Sequence, residues 1–71
     1  MIKINMNHLN KFKVLNNRYV YPISKGIYLS FDKNSLEYMD IIEYYIPKFD
    51  SYRKGNELLE KLYYFGLLEI N

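Results

Sequence analysis

Apolar and polar positions alternate along the first half of the chain, a period of two that is typical of β-strands. The alternation predicts a first strand within Lys11–Leu15, a second over Tyr19–Ile23 and a third over Ile27–Phe31. Turn-forming residues separate these segments, namely Asn16–Asn17 after the first and Ser24–Gly26 after the second. The pattern therefore predicts a three-stranded meander in which the third strand, last in order, forms an edge.

Two details refine these strands. Pro22 has no backbone N–H to donate to a neighbouring strand. Either the side of the backbone on which this N–H would lie faces away from the neighbour, or the second strand is short. In the third strand, Ile27, Leu29 and Phe31 share one face, and Tyr28 and Ser30 share the other. Ile2 and Ile4 also alternate, which is compatible with a frayed strand near the start of the chain.

The period of the apolar positions changes from two to 3.6 after Asp32. Asn34 is a good helix N-cap, and Glu37 follows it by three residues as in a capping box. Apolar residues from Tyr38 to Ile46 fill one arc of a helical wheel, which predicts an amphipathic helix that ends or kinks at Pro47. The alternative is a further short strand over Leu36–Met39.

The last third of the chain predicts a second main helix. Lys48–Lys54 is ambiguous and is compatible with one helical turn, after which Gly55–Asn56 restarts a helix. Glu57 and Lys61 are spaced as an i,i+4 ion pair, and Gly66 is a natural residue to end this helix. The predicted apolar stripe consists of Leu58, Leu59, Leu62 and Phe65. The chain then ends on an extended segment, Leu68–Ile70.

These elements predict an α+β fold: a three-stranded antiparallel sheet packed on two main helices plus a short helical turn. Its 71 residues make one small domain, 1–71, which buries only about 60% of its unfolded surface. The sequence has no Cys, so disulfides and thiolate metal sites do not hold it together. Nine Tyr and four Phe supply large apolar areas instead, and they exceed what such a core needs.

No catalytic motif is present. His8 is the only His and has no partner at a metal-ligand spacing. Glu37, Asp40 and Glu43 have the spacing of a solvated helix face, and the three Gly are too scattered for a phosphate loop. We therefore expect a protein that is not an enzyme by itself and that uses no metal or cofactor.

The net charge of +2 is too small to indicate nucleic-acid binding. No run of eighteen apolar residues predicts a membrane span, and the N-terminus lacks the apolar core of a signal peptide. A cytoplasmic location is compatible with the absence of Cys. Basic residues near the sheet and the last helix favour an acidic partner, or else are ordinary surface charges.

The succession of three strands, a helix, a short turn and a helix ending in ELLEKLYYFGLLEI resembles the PqqD-like recognition element of peptide maturation systems. It is especially similar to the short version that begins many radical-SAM peptide maturases. The positions that carry the resemblance are His8–Phe12, Tyr19–Ile23, Ile27–Asp32 and Leu62–Leu68. The chain departs from the family pattern in a shortened middle helix and in two extra residues between His8 and Phe12.

The resemblance implies a winged-helix-like α+β fold. It also implies a module that binds the leader of a ribosomally made precursor peptide and presents it to a modifying enzyme, such as a radical-SAM maturase. The domain would then be free-standing or the N-terminal module of a larger enzyme. An extended peptide would add a strand at the edge Ile27–Phe31, with the last helix as a wall. The expected peptide-binding residues are Lys25, Ile27, Tyr28, Leu29, Ser30, Phe31, Lys61, Leu62, Tyr64 and Phe65, with the two lysines meeting acidic residues.

Two other functions remain open at this point. One is a winged-helix nucleic-acid binder, although Glu57 and Glu60 on the last helix would repel phosphate. The other is a small, phage-like interaction or inhibitory protein that acts through an aromatic surface.

Overall fold

The computed structural model of this chain describes residues 1–44 and 50–70. In this part of the chain, six strands, one 3-10 helix and one α-helix follow one another. They are β1 (Ile2–Ile4), a 3-10 helix (Met6–Lys11), β2 (Lys13–Leu15), β3 (Arg18–Ser24), β4 (Ile27–Asp32), β5 (Tyr38–Glu43), α1 (Ser51–Tyr64) and β6 (Leu68–Ile70). The protein is α+β, and every strand pair is antiparallel.

The main sheet has four strands in the order β2-β3-β4-β5, rather than the three that the sequence predicts. The third predicted strand, Ile27–Phe31, forms most of β4. The prediction that it is an edge is wrong, because β4 pairs with β3 on one side and with β5 on the other. Its backbone groups are therefore used within the sheet and cannot receive an added strand.

The β2–β3 hairpin turns on two residues, as the sequence predicts. Asn16 and Asn17 have φ values of 49° and 63°, which suit the two-residue turns that match strand twist. Such a turn makes the residues beside it a hydrogen-bonded pair, so Arg18 and Val20 direct their backbone groups towards β2. Pro22 follows Val20 by two residues, so its backbone faces the same side of β3. It lies beyond the end of β2, and its missing N–H therefore removes no hydrogen bond between strands.

Residues 38–43 form strand β5, so the helix predicted from Tyr38 is wrong over the residues that the structure describes. A β-bulge gives the apolar residues of β5 the spacing that is typical of a helix. Ser30 pairs with Asp40 and Phe31 with Tyr38, which leaves Met39 as an extra residue. Tyr38 and Ile41, three residues apart, consequently point to the same face of the sheet, as they would on a helix.

The turn before β5 explains why no helix begins at Asn34. The Asp32 carboxylate accepts hydrogen bonds from the backbone N–H groups of Asn34 and Ser35, both at 2.8 Å. Leu36 then has a φ of 66°, which no right-handed helix allows, and its N–H donates to the Asp32 carbonyl at 2.9 Å. The predicted capping box is therefore wrong, and the residue that holds the turn is Asp32.

The helix α1 begins at Ser51, four residues before the predicted restart at Gly55. The second half of the ambiguous segment Lys48–Lys54 is thus the first turn of α1, while its start lies outside the described residues, as do Ile46 and Pro47. In the described part of the chain, α1 is the only long helix, so one of the two predicted main helices is replaced by β5. Gly66, at φ +83°, ends α1 as predicted, and Leu67 N–H folds back onto the Leu62 carbonyl at 2.8 Å.

The core lies between α1 and one face of the main sheet. Leu29 and Phe31 in the central strand β4 are fully buried, and Phe12 meets the Phe31 ring edge-on at 5.3 Å. Each such side chain stabilises the fold by about 1.5–3 kcal/mol relative to leaving it in water. Buried residues of α1 recur at helical spacing: Ser51, Gly55, Leu59 and Leu62. Phe65, which was predicted in this stripe, is 68% exposed.

The two ends of the chain meet in a small second sheet. β1 pairs with β6, which confirms a strand at Ile2–Ile4 and the extended Leu68–Ile70. The first strand is not frayed, because all three of its residues are paired. The Lys3–Glu69 ion pair across it, at 3.7 Å, is largely exposed and adds at most about 1 kcal/mol. β1 also touches the start of β5, because the Ile4 N–H donates to the Leu36 carbonyl at 2.9 Å.

Candidate functional site

The predicted peptide-binding residues of β4 do not form one surface. Ile27, Leu29 and Phe31 are buried in the core beneath α1. Tyr28 and Ser30 point to the opposite face of the sheet, because side chains alternate along a strand. Replacing Ser30 with Pro would therefore break an interior ladder of the fold and cannot serve as a test of peptide docking.

This second face of the sheet is closed by its own side chains. Ser30 is fully buried, and its hydroxyl accepts a hydrogen bond from the Arg18 guanidinium at 3.3 Å. The rings of Tyr28 and Tyr44 meet edge-on at 5.7 Å. The Tyr44 hydroxyl also accepts a hydrogen bond from the Asn16 side chain at 2.8 Å, across 28 residues of sequence. The sheet thus curls until two of its corners touch.

The remaining predicted residues lie in four different places. Lys25 is exposed at the β3–β4 turn, and Leu62 is buried in the core at 4% exposure. Tyr64 and Phe65 are exposed at the end of α1, where their rings contact each other at 5.4 Å. Lys61 alone among the ten predicted residues lines the main groove of the described part of the molecule.

This groove, which we call the β3–α1 groove, runs between the end of β3 and one flank of α1. Its volume is about 230 Å³. A smaller pocket of about 110 Å³ lies on the other flank of α1, between the helix and the β1–β6 sheet. The lining residues of the β3–α1 groove are Pro22, Ile23, Lys54, Glu57, Leu58 and Lys61.

The sequence positions of these residues explain the groove. Lys54, Glu57, Leu58 and Lys61 follow the i, i+3, i+4, i+7 spacing of a single helix flank, next to the buried flank. On the strand side, β3 carries a bulge between Pro22 and Ser24, which leaves Ile23 as an extra residue. The helical spacing is visible in the sequence, but its neighbour Ile23 is brought there only by the fold.

The charges of the β3–α1 groove are unequal at its two ends. Near the start of α1, Asp50 forms ion pairs with Lys54 at 3.2 Å and with Arg53 at 3.6 Å. The hydrogen bond from Lys54, together with both cations, holds the pKa of Asp50 below its ordinary value of 3.8. At the other end, Lys61 forms no ion pair with any described residue, and neither does Glu57. The predicted Glu57–Lys61 pair is therefore not made.

The outer edge of β5 is another place where an extended segment could pair. Tyr44 N–H donates to the Gly26 carbonyl at 2.8 Å, so by alternation Ile41 and Glu43 direct their backbone groups away from β4. The Ile41 N–H, however, already donates to the Asp40 carboxylate at 2.7 Å. A charged side chain that occupies an edge donor is a known protection against strand addition. The β3–α1 groove is thus the better candidate site.

Among residues 1–44 and 50–70, no three His, Cys, Asp or Glu side chains come together as a metal site, and no helix has the length and apolar character to cross a membrane. The pKa of Tyr38 is raised by burial and by the nearby Asp40 and Tyr52, which keeps its hydroxyl protonated at neutral pH. Tyr38 lies in the core beside Phe31, outside the groove.

No family model, curated protein or solved structure matches this chain.

Proposed function

We propose that this chain is a non-catalytic binding module that holds an extended peptide segment in the β3–α1 groove. The observation that carries the proposal is the pairing of an apolar floor, made by Pro22, Ile23 and Leu58, with unpaired charges on the rim. Apolar pockets with a few oriented polar groups are the usual form of ligand sites in proteins. The groove also lies beside the stretch of β3 that β2 leaves unpaired.

The resemblance to the PqqD-like recognition element supports the nature of the ligand. In this proposal, the segment is the leader of a precursor peptide, and the module presents it to a modifying enzyme such as a radical-SAM maturase. The winged-helix arrangement belongs to the same proposal. The peptide would not extend the sheet at Ile27–Phe31, as the sequence suggests, because that strand is interior; it would lie beside Pro22, which lies beyond the residues of β3 that pair with β2.

The first test is a selection of twelve-residue peptides from a random display library against the intact chain. Amide shift mapping by NMR with an enriched peptide should move Ile23, Leu58 and Lys61. Leu58→Ala should then weaken binding by on the order of tenfold, because it removes half-buried apolar contact from the centre of the site. Met39→Ala is the matched control, since Met39 is an exposed apolar residue of β5 and should bind normally.

Two outcomes would overturn the proposal. One is a library from which no peptide is enriched above an empty support. The other is a set of shifts confined to β5 or to the smaller pocket beside β1. Thermal unfolding of Leu58→Ala, followed by circular dichroism, shows whether lost binding is due to lost structure.

A further inference from the structure

We infer that the β3–α1 groove prefers an acidic peptide segment, and that Lys61 forms an ion pair with a carboxylate of that segment. The ion pair between Asp50 and Lys54 keeps Lys54 from binding a second carboxylate of the segment. The inference rests on the proposed function, because it concerns the ligand of the same groove. It adds the chemical class of the ligand, and it names the Asp50 carboxylate as a group of the protein that competes with the ligand for Lys54.

Lys61 and Lys54 occupy the same flank of α1 and both line the groove. They are seven residues apart, or about 10 Å along a helix that rises 1.5 Å per residue. Lys61 is exposed and unpaired within the described chain, so its ammonium group is available to a carboxylate of the ligand.

Lys54 is held differently. Its ammonium group lies 3.2 Å from the Asp50 carboxylate, which Arg53 also contacts. Because the pKa of Asp50 lies below its ordinary value, this carboxylate is ionised throughout the neutral range and competes with any acidic ligand. Among the described residues, the wild-type groove therefore has one cation without an ion pair, at Lys61, and one that is paired with Asp50, at Lys54.

The unpaired acid in the groove limits the positions at which the ligand can carry negative charge. Glu57 lies between the two lysines on the same flank of α1. A ligand carboxylate placed there would be repelled, so acidic residues should appear only opposite the lysines. Apolar residues should appear opposite Leu58 and Ile23, which form the floor between them.

The experiment repeats the peptide selection with four versions of the intact chain: wild type, Lys61→Glu, Asp50→Asn and, as a control, Lys33→Glu in the exposed β4–β5 turn. Wild type should enrich peptides with one Asp or Glu beside an apolar residue, and Lys33→Glu should enrich the same set. Lys61→Glu should bind those peptides roughly threefold to tenfold more weakly and should enrich Lys or Arg at the same position.

The Asp50→Asn chain provides a gain of binding, which a folding defect does not imitate. Releasing Lys54 should enrich a second acidic residue two or four positions from the first, because side chains on one face of an extended chain recur every second residue and two to four residues span about 7 to 13 Å. Peptides with both acids should bind Asp50→Asn more tightly than wild type by about twofold to fivefold, an advantage that salt should reduce.

The results separate the two levels of the argument. The preference for an acidic segment is wrong if peptides map to the groove without enriching Asp or Glu, or if Lys61→Glu leaves their composition unchanged. In either case the peptide-binding function stands. If Asp50→Asn selects the same single-acid peptides as wild type, the masking by Asp50 is wrong. If no peptide binds wild type at all, the proposed function itself fails.

Discussion

Gly55 is the point of closest approach between α1 and the sheet. A Cβ atom at this position would lie 2.5 Å from the Ile41 Cδ1 atom and 3.3 Å from the Ile23 Cδ1 atom. The glycine is therefore explained by space and not by backbone conformation. The same contact fixes the height of α1 above β3 and β5, and with it the depth of the β3–α1 groove.

Gly55→Ala should destabilise the protein by on the order of 1 kcal/mol, because the overlap with Ile41 outweighs the better helix propensity of Ala. Combining it with Ile41→Val, which removes the overlapping methyl group, should cost less than the sum of the two single changes. Urea unfolding of the four proteins measures this coupling. Strictly additive values would show that the helix simply shifts away from the sheet.

At the scale of an element, β5 shows how a local rule can mislead. Its sequence, YMDIIE, has apolar residues three and four apart, and a plausible cap precedes it. The bulge at Met39 gives a strand that same spacing, and pairing with β4 supplies the backbone partners that a helix would have made internally. The β-branched Ile41 and Ile42 favour this outcome, since they pack well on a pleated surface.

Asp40 should keep β5 from pairing with other molecules. Asp40→Val removes the carboxylate that occupies the Ile41 N–H and adds a residue that favours strands, so we expect concentration-dependent association. Sedimentation velocity over a range of concentrations measures it. Glu60→Val is the control, because it adds the same apolar side chain to the exposed surface of α1. Equal association of both variants would indicate nonspecific hydrophobic association and not pairing at the edge of β5.

At the scale of the whole molecule, stability should depend on pH at both extremes. The pKa values of Asp32 and Asp50 lie below 3.8 in the folded state, so their contribution is complete above that pH and is lost as the pH falls through the lowered values. The pKa of Tyr38 is raised above 10.0, so its contribution is complete below pH 10 and is lost as the pH rises further. Between these limits, these three groups should leave stability unchanged.

Thermal unfolding midpoints measured across the pH range test this expectation. Asp32→Asn should flatten part of the acid limb, because the amide has no proton to gain. Tyr38→Phe should flatten the alkaline limb and keep the ring contact with Phe31, which lies at 5.7 Å. An alkaline limb of unchanged steepness in Tyr38→Phe would assign the loss to other groups.

Much of the strand structure could be predicted from the sequence alone. Period-two alternation and turn residues are local features, and they predicted β3, β4, the Asn16–Asn17 turn and the end of α1 at Gly66. The first predicted strand, Lys11–Leu15, is right only over β2, because Lys11 ends the 3-10 helix. The antiparallel α+β class follows from the same features. Of the candidate site, the helix flank of Lys54, Glu57, Leu58 and Lys61 has a visible spacing, although only Lys61 was predicted to bind.

Tertiary structure decided what local patterns leave open. Whether a strand is an edge depends on its neighbours, and β4 became interior because residues 38–43 paired with it instead of forming a helix. The strand side of the groove depends on the bulge at Ile23, which belongs to the pairing of β3 with β4, and on the contact at Gly55, which arises only when α1 packs on the sheet. The sequence by itself determined that the segments of β3 and β4 are extended, because alternation depends on residues near one another. Pairing and packing between distant segments determined that residues 38–43 form a strand and where a ligand has room to bind.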